Sequence, residues 1–261
     1  MTKKILIYND LGCEDVLIVQ EEISNYFKKE NVSVDFVDAN QIINENALNS
    51  DVLAFIVPGG ASSPYKQKLK TLGNEAIANY VKNGGSYLGI CAGAYYPCKK
   101  IIFEKGIPEL EKTAEHGLDL IDGEAIGTLH KEFNVSPYSG DYDSIAIANI
   151  IWQDDDKQEL GIYYHGGPYF KLYNEENHDV LARYKDVEGN PPAIVSRNFG
   201  KGKVVVSGVH FELGARHLMA SLSASKEPPE FAVELSSKLQ EKENDRQVLT
   251  HKIMQKLIKA I

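Results

Sequence analysis

The chain has 261 residues, of which 43% are hydrophobic and 25% are charged, a balance typical of a globular protein with a sizeable core. Its net charge of −9 argues against a general nucleic-acid-binding protein, whose surface is basic. No apolar run is long enough to span a membrane, and the apolar part of the N-terminus is too short for a signal peptide. The three cysteines form no even disulfide framework. We therefore expect a cytoplasmic protein that binds neither nucleic acid nor a membrane.

Strand and helix patterns alternate along the first hundred residues. The predicted elements are strands over 4–8, 32–37, 52–57 and 87–90, and helices over 15–29, 69–81 and from 92 onward. The run 52–57 is apolar throughout, as in a strand that is buried on both faces of a parallel sheet. This alternation predicts an α/β fold with right-handed crossovers and a doubly wound parallel sheet of flavodoxin-like type.

The pattern changes after about residue 117. Short β-like pieces are predicted over 144–151, 160–164 and 180–184, and a hairpin joins 193–197 to 203–206. We expect an antiparallel β-rich insertion at about 115–190 within a single domain that covers residues 1–261. The segment at about 228–261 carries leucines and isoleucines at helical spacing, which predicts two C-terminal helices with Asn244 and Asp245 as a cap between them.

The run 84–96 reads as an apolar strand that stops at Gly-Ile-Cys-Ala-Gly (89–93) and continues into a helix. This is the pattern of a nucleophile elbow with Cys91 in place of serine, because glycines on both sides allow a sharp strand-to-helix turn. The first amides of the following helix then point at the sulfur and favour thiolate over thiol. The alternative is a small buried hydrophobic residue at a strand end, which is what most free cysteines are.

A thiol nucleophile needs a base, and the base needs an orienting group. His210 and Glu212 follow the apolar strand 203–206, and in an extended segment their side chains project to the same side. Glu212 is therefore predicted to hold one ring nitrogen of His210 while the other ring nitrogen faces Cys91. Without the upstream cysteine, the same His-X-Glu pattern is typical of a solvated pair.

An acyl-transfer site also needs hydrogen-bond donors for the developing oxyanion. The amide of Ala92, directly after Cys91, is one candidate. The second is the amide of Gly60, because the Pro-Gly-Gly turn at 58–60 follows a parallel strand and sites in such sheets gather at the carboxyl ends of strands. A plain strand-exit turn has the same sequence pattern.

Together these residues resemble the class I glutamine amidotransferase fold with its Cys-His-Glu triad. Several segments more closely resemble the N-terminal domain of eukaryotic-type biotin–protein ligases, which also occurs as a stand-alone protein. These segments are 57–60 (Val-Pro-Gly-Gly) with Pro64 and Tyr65, 85–96 around the cysteine, 103–106 (Phe-Glu-Lys-Gly), 163–167 (Tyr-Tyr-His-Gly-Gly), and 200–202 (Gly-Lys-Gly) leading to 207–212 (Ser-Gly-Val-His-Phe-Glu). The resemblance implies that Cys91, His210 and Glu212 form the triad and that Gly60 and Ala92 supply the oxyanion donors.

Three positions depart from the patterns that the resemblance implies. Tyr95 stands where glutaminases carry a substrate-holding glutamine, which argues against glutamine as the substrate. Phe211 stands where the family usually has proline, and His165 stands where it tends to have asparagine. No biotin ligase catalytic domain and no Gly-Arg-rich adenylate loop are recognisable, so we expect no biotin ligation by this chain alone.

We assign Gly59, Tyr95, Tyr164 and His165 to a candidate substrate pocket, with packing tyrosines and an ordinary loop histidine as the alternative. The acidic run 154–156 is interpreted as a solvated loop, and we expect no metal and no cofactor. Two functions follow: a cysteine-dependent amidohydrolase or amidotransferase-like enzyme for a small molecule, or a non-catalytic small-molecule-binding or regulatory module. The sequence carries no signal for a protein partner or a homo-oligomer.

Overall fold

The structure is a computed structural model that describes residues 3–154, 156–225 and 227–258. Its strands are β1 (Lys3–Tyr8), β2 (Val32–Val37), β3 (Val52–Val57), β4 (Ser86–Ile90), β5 (Cys98–Phe103), β6 (Lys112–Ala114), β7 (Ile121–Ile126), β8 (Ile145–Trp152), β9 (Glu159–His165), β10 (Tyr169–Leu172), β11 (Asp179–Tyr184), β12 (Pro192–Phe199) and β13 (Gly202–Ser207). Its helices are α1 (Val16–Tyr26), α2 (Ala39–Asn44), α3 (Ser62–Lys82), α4 (Ala92–Tyr95), α5 (Ala215–Ala224), α6 (Glu230–Glu241) and α7 (Glu243–Leu257).

Nine strands of the described residues form one sheet in the order β2-β1-β3-β4-β13-β12-β11-β8-β9. The strands from β2 to β13 pair in parallel, and the pairs from β13 to β9 are antiparallel. The predicted hairpin is β12 and β13, with Phe199 opposite Gly202. The predicted α/β class is therefore confirmed, and the antiparallel strands extend the parallel sheet side by side.

A second sheet follows the elbow directly, with four strands in the order β10-β7-β5-β6. The prediction of a helix that continues from residue 92 is wrong beyond the first turn, since α4 ends at Tyr95 and β5 begins at Cys98. Pro97 lies between them and cannot continue a helix, because its ring removes a backbone donor and clashes with the preceding turn. The β-rich part of the chain thus begins before the predicted residue 115.

The C-terminal helices α6 and α7 lie within the predicted segment at 228–261, whose last residues, 259–261, lie outside the described residues. The predicted cap at Asn244 and Asp245 is wrong, because α7 already begins at Glu243 and only one residue separates it from α6. Both residues therefore occupy the first turn of α7. Helix α5 has no counterpart among the predicted elements, and no helix in the described parts of the chain is long and apolar enough to cross a membrane.

The large sheet has a hydrophobic core on each face, because side chains along a strand alternate between the faces. Along β1, Ile5 and Ile7 belong to the core that also contains residues of α1 and α7. Leu6 and Tyr8 belong to the opposite core, with residues of α2 and α3. Helices thus cover both faces of the parallel strands, and the carboxyl ends of β3, β4 and β13 meet at one edge.

Candidate active site

Cys91 occupies a sharp turn between β4 and α4, with φ 49° and ψ −106°. This conformation is rare for a residue with a Cβ, and such strained positions cluster at functional sites. The Cys91 amide donates to the carbonyl of Ser207 at 3.0 Å, which ties the turn to the end of β13. A Cβ on Gly89 would lie 2.0 Å from the carbonyl oxygen of Gly93, so the turn requires a glycine there.

His210 and Glu212 lie within hydrogen-bonding distance of each other, as the spacing predicts. His210 Nδ1 and Glu212 Oε1 are 2.6 Å apart, and both side chains are buried. The His210 amide donates to the carbonyl of Tyr163 at 2.9 Å, so β9 holds the backbone of this segment. Burial disfavours the charged ring, but the Glu212 carboxylate and the neighbouring Cys91 outweigh it and raise the pKa of His210 well above its ordinary value.

The backbone carbonyl of His165 brings the thiol and the imidazole together. Cys91 Sγ lies 3.5 Å from this oxygen, and His210 Nε2 lies 3.4 Å from it. Gly59 packs against the same ring, since a Cβ on it would lie 3.2 Å from His210 Cε1 and 3.6 Å from Cys91 Cβ. The sulfur of Cys91 and Nε2 of His210 therefore face the same carbonyl oxygen in a largely buried space.

A cavity of about 330 Å³ opens beside Cys91. It is lined by Gly60, Ala61, Ser62, Ser63, Cys91, Ala92, Tyr95, Ile101, Phe103, Glu104, Leu110, Lys112, Ala114, His116, Tyr138 and Gly166. Gly60 and Ala92 thus border the same space as the sulfur. Among the hydrogen bonds between described residues, none uses the amide of Gly60 or of Ala92. Both amides are available to an oxygen bound next to Cys91.

The four candidate pocket residues occupy different places. Tyr95 lines the cavity, and its hydroxyl donates to the carbonyl of Gly166 at 3.0 Å. Gly59 lies against the His210 ring instead. Tyr164 is fully buried outside the cavity, where its hydroxyl accepts from the amide of Leu129 and donates to the carbonyl of Gly167, each at 2.8 Å.

The ring of His165 points away from the Cys91 cavity, although its carbonyl faces the sulfur. Its Nε2 lies 3.0 Å from Ser144 Oγ, and the ring lies beside that of Tyr138. Burial, together with the charge of His210, lowers the pKa of His165 to about 4. The ring is therefore neutral at physiological pH and contributes a carbonyl rather than an ionisable group to the site.

The C-terminal helix holds the His-X-Glu segment through Arg246, which the sequence reasoning missed. Arg246 Nη1 donates to the carbonyl of Phe211 at 3.0 Å and to Glu22 Oε2 at 2.6 Å. Its Nη2 donates to Glu243 Oε1 at 2.6 Å. Since Arg246 and Glu22 are both buried, this network joins α1, α7 and the residue between His210 and Glu212.

Two buried polar residues of the cavity wall were also missed. Glu104 follows β5 directly, and its side chain is 1% exposed. His116 Nε2 lies 3.1 Å from Ser62 Oγ, and burial, with the charge of Lys66, lowers the pKa of His116 to about 4. The only sequence signal for Glu104 is its place within the 103–106 segment, which assigns no role, and His116 has no signal.

The described residues contain no group of three His, Cys, Asp or Glu side chains that could hold a metal ion. In the acidic run, Asp154 forms an ion pair with Lys252, with 2.5 Å between Oδ2 and Nζ. Asp155 lies outside the described residues.

The fold is that of the glutamine amidotransferases. The crystal structure of a glutamine amidotransferase from Thermotoga maritima aligns with 100% of this chain and 100% of its own, with a TM-score of 0.60 and 15% sequence identity. At this identity the likeness concerns the fold alone.

Within this fold class, the chain belongs to the family described as "Biotin-protein ligase, N terminal", which matches residues 3–260. It is 32% identical over 226 residues to an uncharacterized protein of Chlamydia muridarum, covering 80% of each chain. It is 28% identical over 218 residues to the biotin–protein ligase of Schizosaccharomyces pombe, where the match covers 81% of this chain and 33% of the ligase. The matched part thus spans about a third of that enzyme.

Proposed function

We propose that this protein is a cysteine-dependent amidohydrolase or amidotransferase-like enzyme that acts on a small amide or acyl substrate. The observation that carries the proposal is the strained Cys91 turn at the wall of a cavity, beside the buried His210–Glu212 pair whose Nδ1 and Oε1 atoms are 2.6 Å apart. In this arrangement Cys91 is the nucleophile, His210 moves the proton and Glu212 orients His210. The free cysteines suit a reducing compartment, and we place the protein in the cytoplasm.

In the first step, the proton of the thiol moves from Sγ to His210 Nε2, and the thiolate attacks the carbonyl carbon of the substrate. An S–C bond forms, and the carbonyl oxygen becomes an oxyanion. The amides of Gly60 and Ala92 donate to this oxygen. The raised pKa of His210 favours the protonated ring that forms in this step and that later donates to the leaving group.

In the second step, the C–N bond of the tetrahedral intermediate breaks, and His210 gives its proton to the departing amine. The product is a thioester on Cys91. Water then attacks the thioester with His210 as the base, or an amine attacks in its place. The carboxylic acid or new amide leaves, and the thiol is restored.

The side chain of Tyr95 supports a substrate other than glutamine. It stands where glutaminases carry the glutamine that holds substrate, and its hydroxyl is already bonded to the carbonyl of Gly166. The substrate is expected to fill the mainly apolar space beside it.

The proposal is tested by alkylating Cys91 with iodoacetamide at different pH values, in the native protein and in His210→Ala. Mass spectrometry of the Cys91 peptide separates this reaction from those of Cys13 and Cys98. We expect rapid alkylation of the native protein at pH 6 and a roughly thirtyfold loss at pH 7 in His210→Ala, because an ordinary thiol is only ~3% ionised there. His251→Ala, which removes an exposed histidine, is the control. Profiles centred near pH ~8.5 in both proteins would contradict the proposal.

A non-catalytic binding module is the second candidate, and one contact favours it. Cys91 Sγ lies 3.5 Å from the carbonyl of His165, a geometry in which a protonated thiol donates. Acylation by p-nitrophenyl acetate separates the two functions. An enzyme gives a burst of nitrophenol followed by steady release, and Cys91→Ser loses both phases. A binding module gives the same slow release in the native and Cys91→Ser proteins.

A further inference from the structure

Glu104 is one of the residues that line the Cys91 cavity, and its side chain is buried. The residue directly follows β5 and has a φ of 53°, in the left-handed region that side chains rarely adopt. Its side chain is 1% exposed. The chain therefore turns sharply at this point and holds an ionisable group away from water.

The two oxygens of this carboxylate have different surroundings. Oε1 accepts from Thr128 Oγ1 at 2.9 Å and from the amide of Tyr138 at 2.7 Å. Among the described residues, Oε2 has no hydrogen-bond partner, and the nearest recorded group is His130 Nδ1, which lies 3.3 Å from it. Within the parts of the chain that the structure describes, no lysine or arginine nitrogen comes within 4.0 Å of either oxygen.

A buried carboxylate with a free oxygen and no lysine or arginine is a poor element of a core, because it has lost water without gaining a full set of partners. A ligand that brings a charged hydrogen-bond donor would supply the missing partner. The cavity lining also contains the apolar side chains of Ile101, Phe103 and Leu110, which suit the carbon chain of such a ligand.

We propose that Glu104 is a specificity-determining residue and that the substrate acylating Cys91 carries a primary ammonium group that pairs with Glu104 Oε2. This inference rests on the proposed function. The cavity of about 330 Å³ corresponds to roughly eleven water molecules at about 30 Å³ each. In this proposal the ammonium and the reacting carbonyl belong to one small molecule and are joined by a short apolar chain. Lys112 also borders the cavity, but it is exposed to solvent, which weakens its repulsion of a cation.

The experiment compares two chloroacetamide probes of similar length, N-(2-aminoethyl)chloroacetamide and N-propylchloroacetamide. In both, the Cys91 sulfur bonds to the methylene carbon as chloride leaves. The ammonium probe is expected to alkylate the native protein roughly tenfold faster than the propyl probe, as a charge-assisted hydrogen bond implies. In Glu104→Gln the ratio of the two rates should fall to about one.

Glu124→Gln is the matched control, because Glu124 is a half-buried carboxylate on β7 that does not line the cavity. It should keep the native ratio, which separates Glu104 from the general attraction of an acidic protein for cations. A native ratio near one overturns the proposal even if Glu104→Gln fails to fold. A tenfold ratio that persists in Glu104→Gln overturns it as well. If Cys91 is not activated, both probes slow together and the ratio still reports on Glu104, so the two failures are distinguishable.

Discussion

The parallel and antiparallel halves of the large sheet supply different groups to the candidate site. The parallel half ends in the Cys91 turn, and the segment after β13 carries His210 and Glu212. The antiparallel half supplies backbone carbonyls from β9: that of His165 beside the sulfur and that of Tyr163 beneath the His210 amide. The candidate catalytic side chains thus come from the half whose strand ends share one edge, and the other half contacts them through its backbone.

The two halves place one histidine each near the site, His210 and His165, and the pKa values of the two are shifted in opposite directions. Both rings are largely buried, and burial alone lowers the pKa of an imidazole. The Glu212 carboxylate and Cys91 reverse this for His210, whose pKa is raised, whereas burial and the charge of His210 lower the pKa of His165 to about 4. The Glu212 carboxylate, two residues from His210, therefore contributes to the opposite directions in which the two pKa values are shifted.

Two strand glycines should respond very differently to the same substitution. Gly89→Ala in β4 places a Cβ 2.0 Å from the backbone oxygen of Gly93, so we expect a loss of more than about 4 kcal/mol in the free energy of unfolding. Gly161→Ala in β9 meets mainly the flexible side chain of Lys242 at 3.1 Å and should stay within about 1 kcal/mol of the native protein. Urea unfolding measures both. If both variants lost the same free energy of unfolding, the two halves of the sheet would not differ in their tolerance of an added Cβ.

The next largest effect is expected when the contact between α7 and the His-X-Glu segment is removed. Arg246→Met leaves Glu22 with one partner fewer in a buried site, which should cost about 3 kcal/mol of unfolding free energy. It also frees the carbonyl of Phe211, so the pH profile of Cys91 alkylation should move to higher pH.

Lys252→Met is the control for Arg246, because it removes a partly exposed ion pair with Asp154 from the same helix. It should cost no more than about 1 kcal/mol and leave the alkylation profile in place. A stable Arg246→Met protein with the native profile would show that the C-terminal helix has no role at the site.

His165→Asn tests the antiparallel half through acid stability. The pKa of His165 is about 4 when folded and about 6.5 in an unfolded chain, so the unfolded state takes up a proton first and stability falls as pH drops from about 6.5 to about 4. The substitution removes this loss. Unfolding free energies measured at pH 7 and pH 4.5 should differ by about 2 to 3 kcal/mol less than in the native protein. His251→Asn, at an exposed site, should keep the native difference.

Glu212→Gln gives the smallest effect. The amide cannot stabilise the charged ring of His210 as the carboxylate does, so the pKa of His210 falls and alkylation of Cys91 at pH 6 should slow about tenfold. Glu234→Gln, an exposed carboxylate on α6, should not change the rate. An unchanged alkylation rate in Glu212→Gln would show that Glu212 does not orient or stabilise the His210 ring.

Local patterns predicted the parts of the fold and site that depend on neighbours in sequence. The alternating elements, the hairpin and the glycine-flanked turn at Cys91 follow from periodicity and backbone freedom within short windows. The short α4 also had a local signal, Pro97, which the sequence reasoning overlooked. The second sheet was missed because its strand pairing joins segments far apart in the chain.

The sequence alone determined which residues are candidates for the site. They are a cysteine in a turn that its flanking glycines permit, and a histidine and a glutamate two residues apart in an extended segment. Tertiary structure decided what surrounds them. The carbonyl of His165 comes from 74 residues away from Cys91, and Arg246 meets Glu22 across 224 residues. No local pattern encodes such contacts, because burial and charge depend on which distant segments the fold brings into one low-dielectric space.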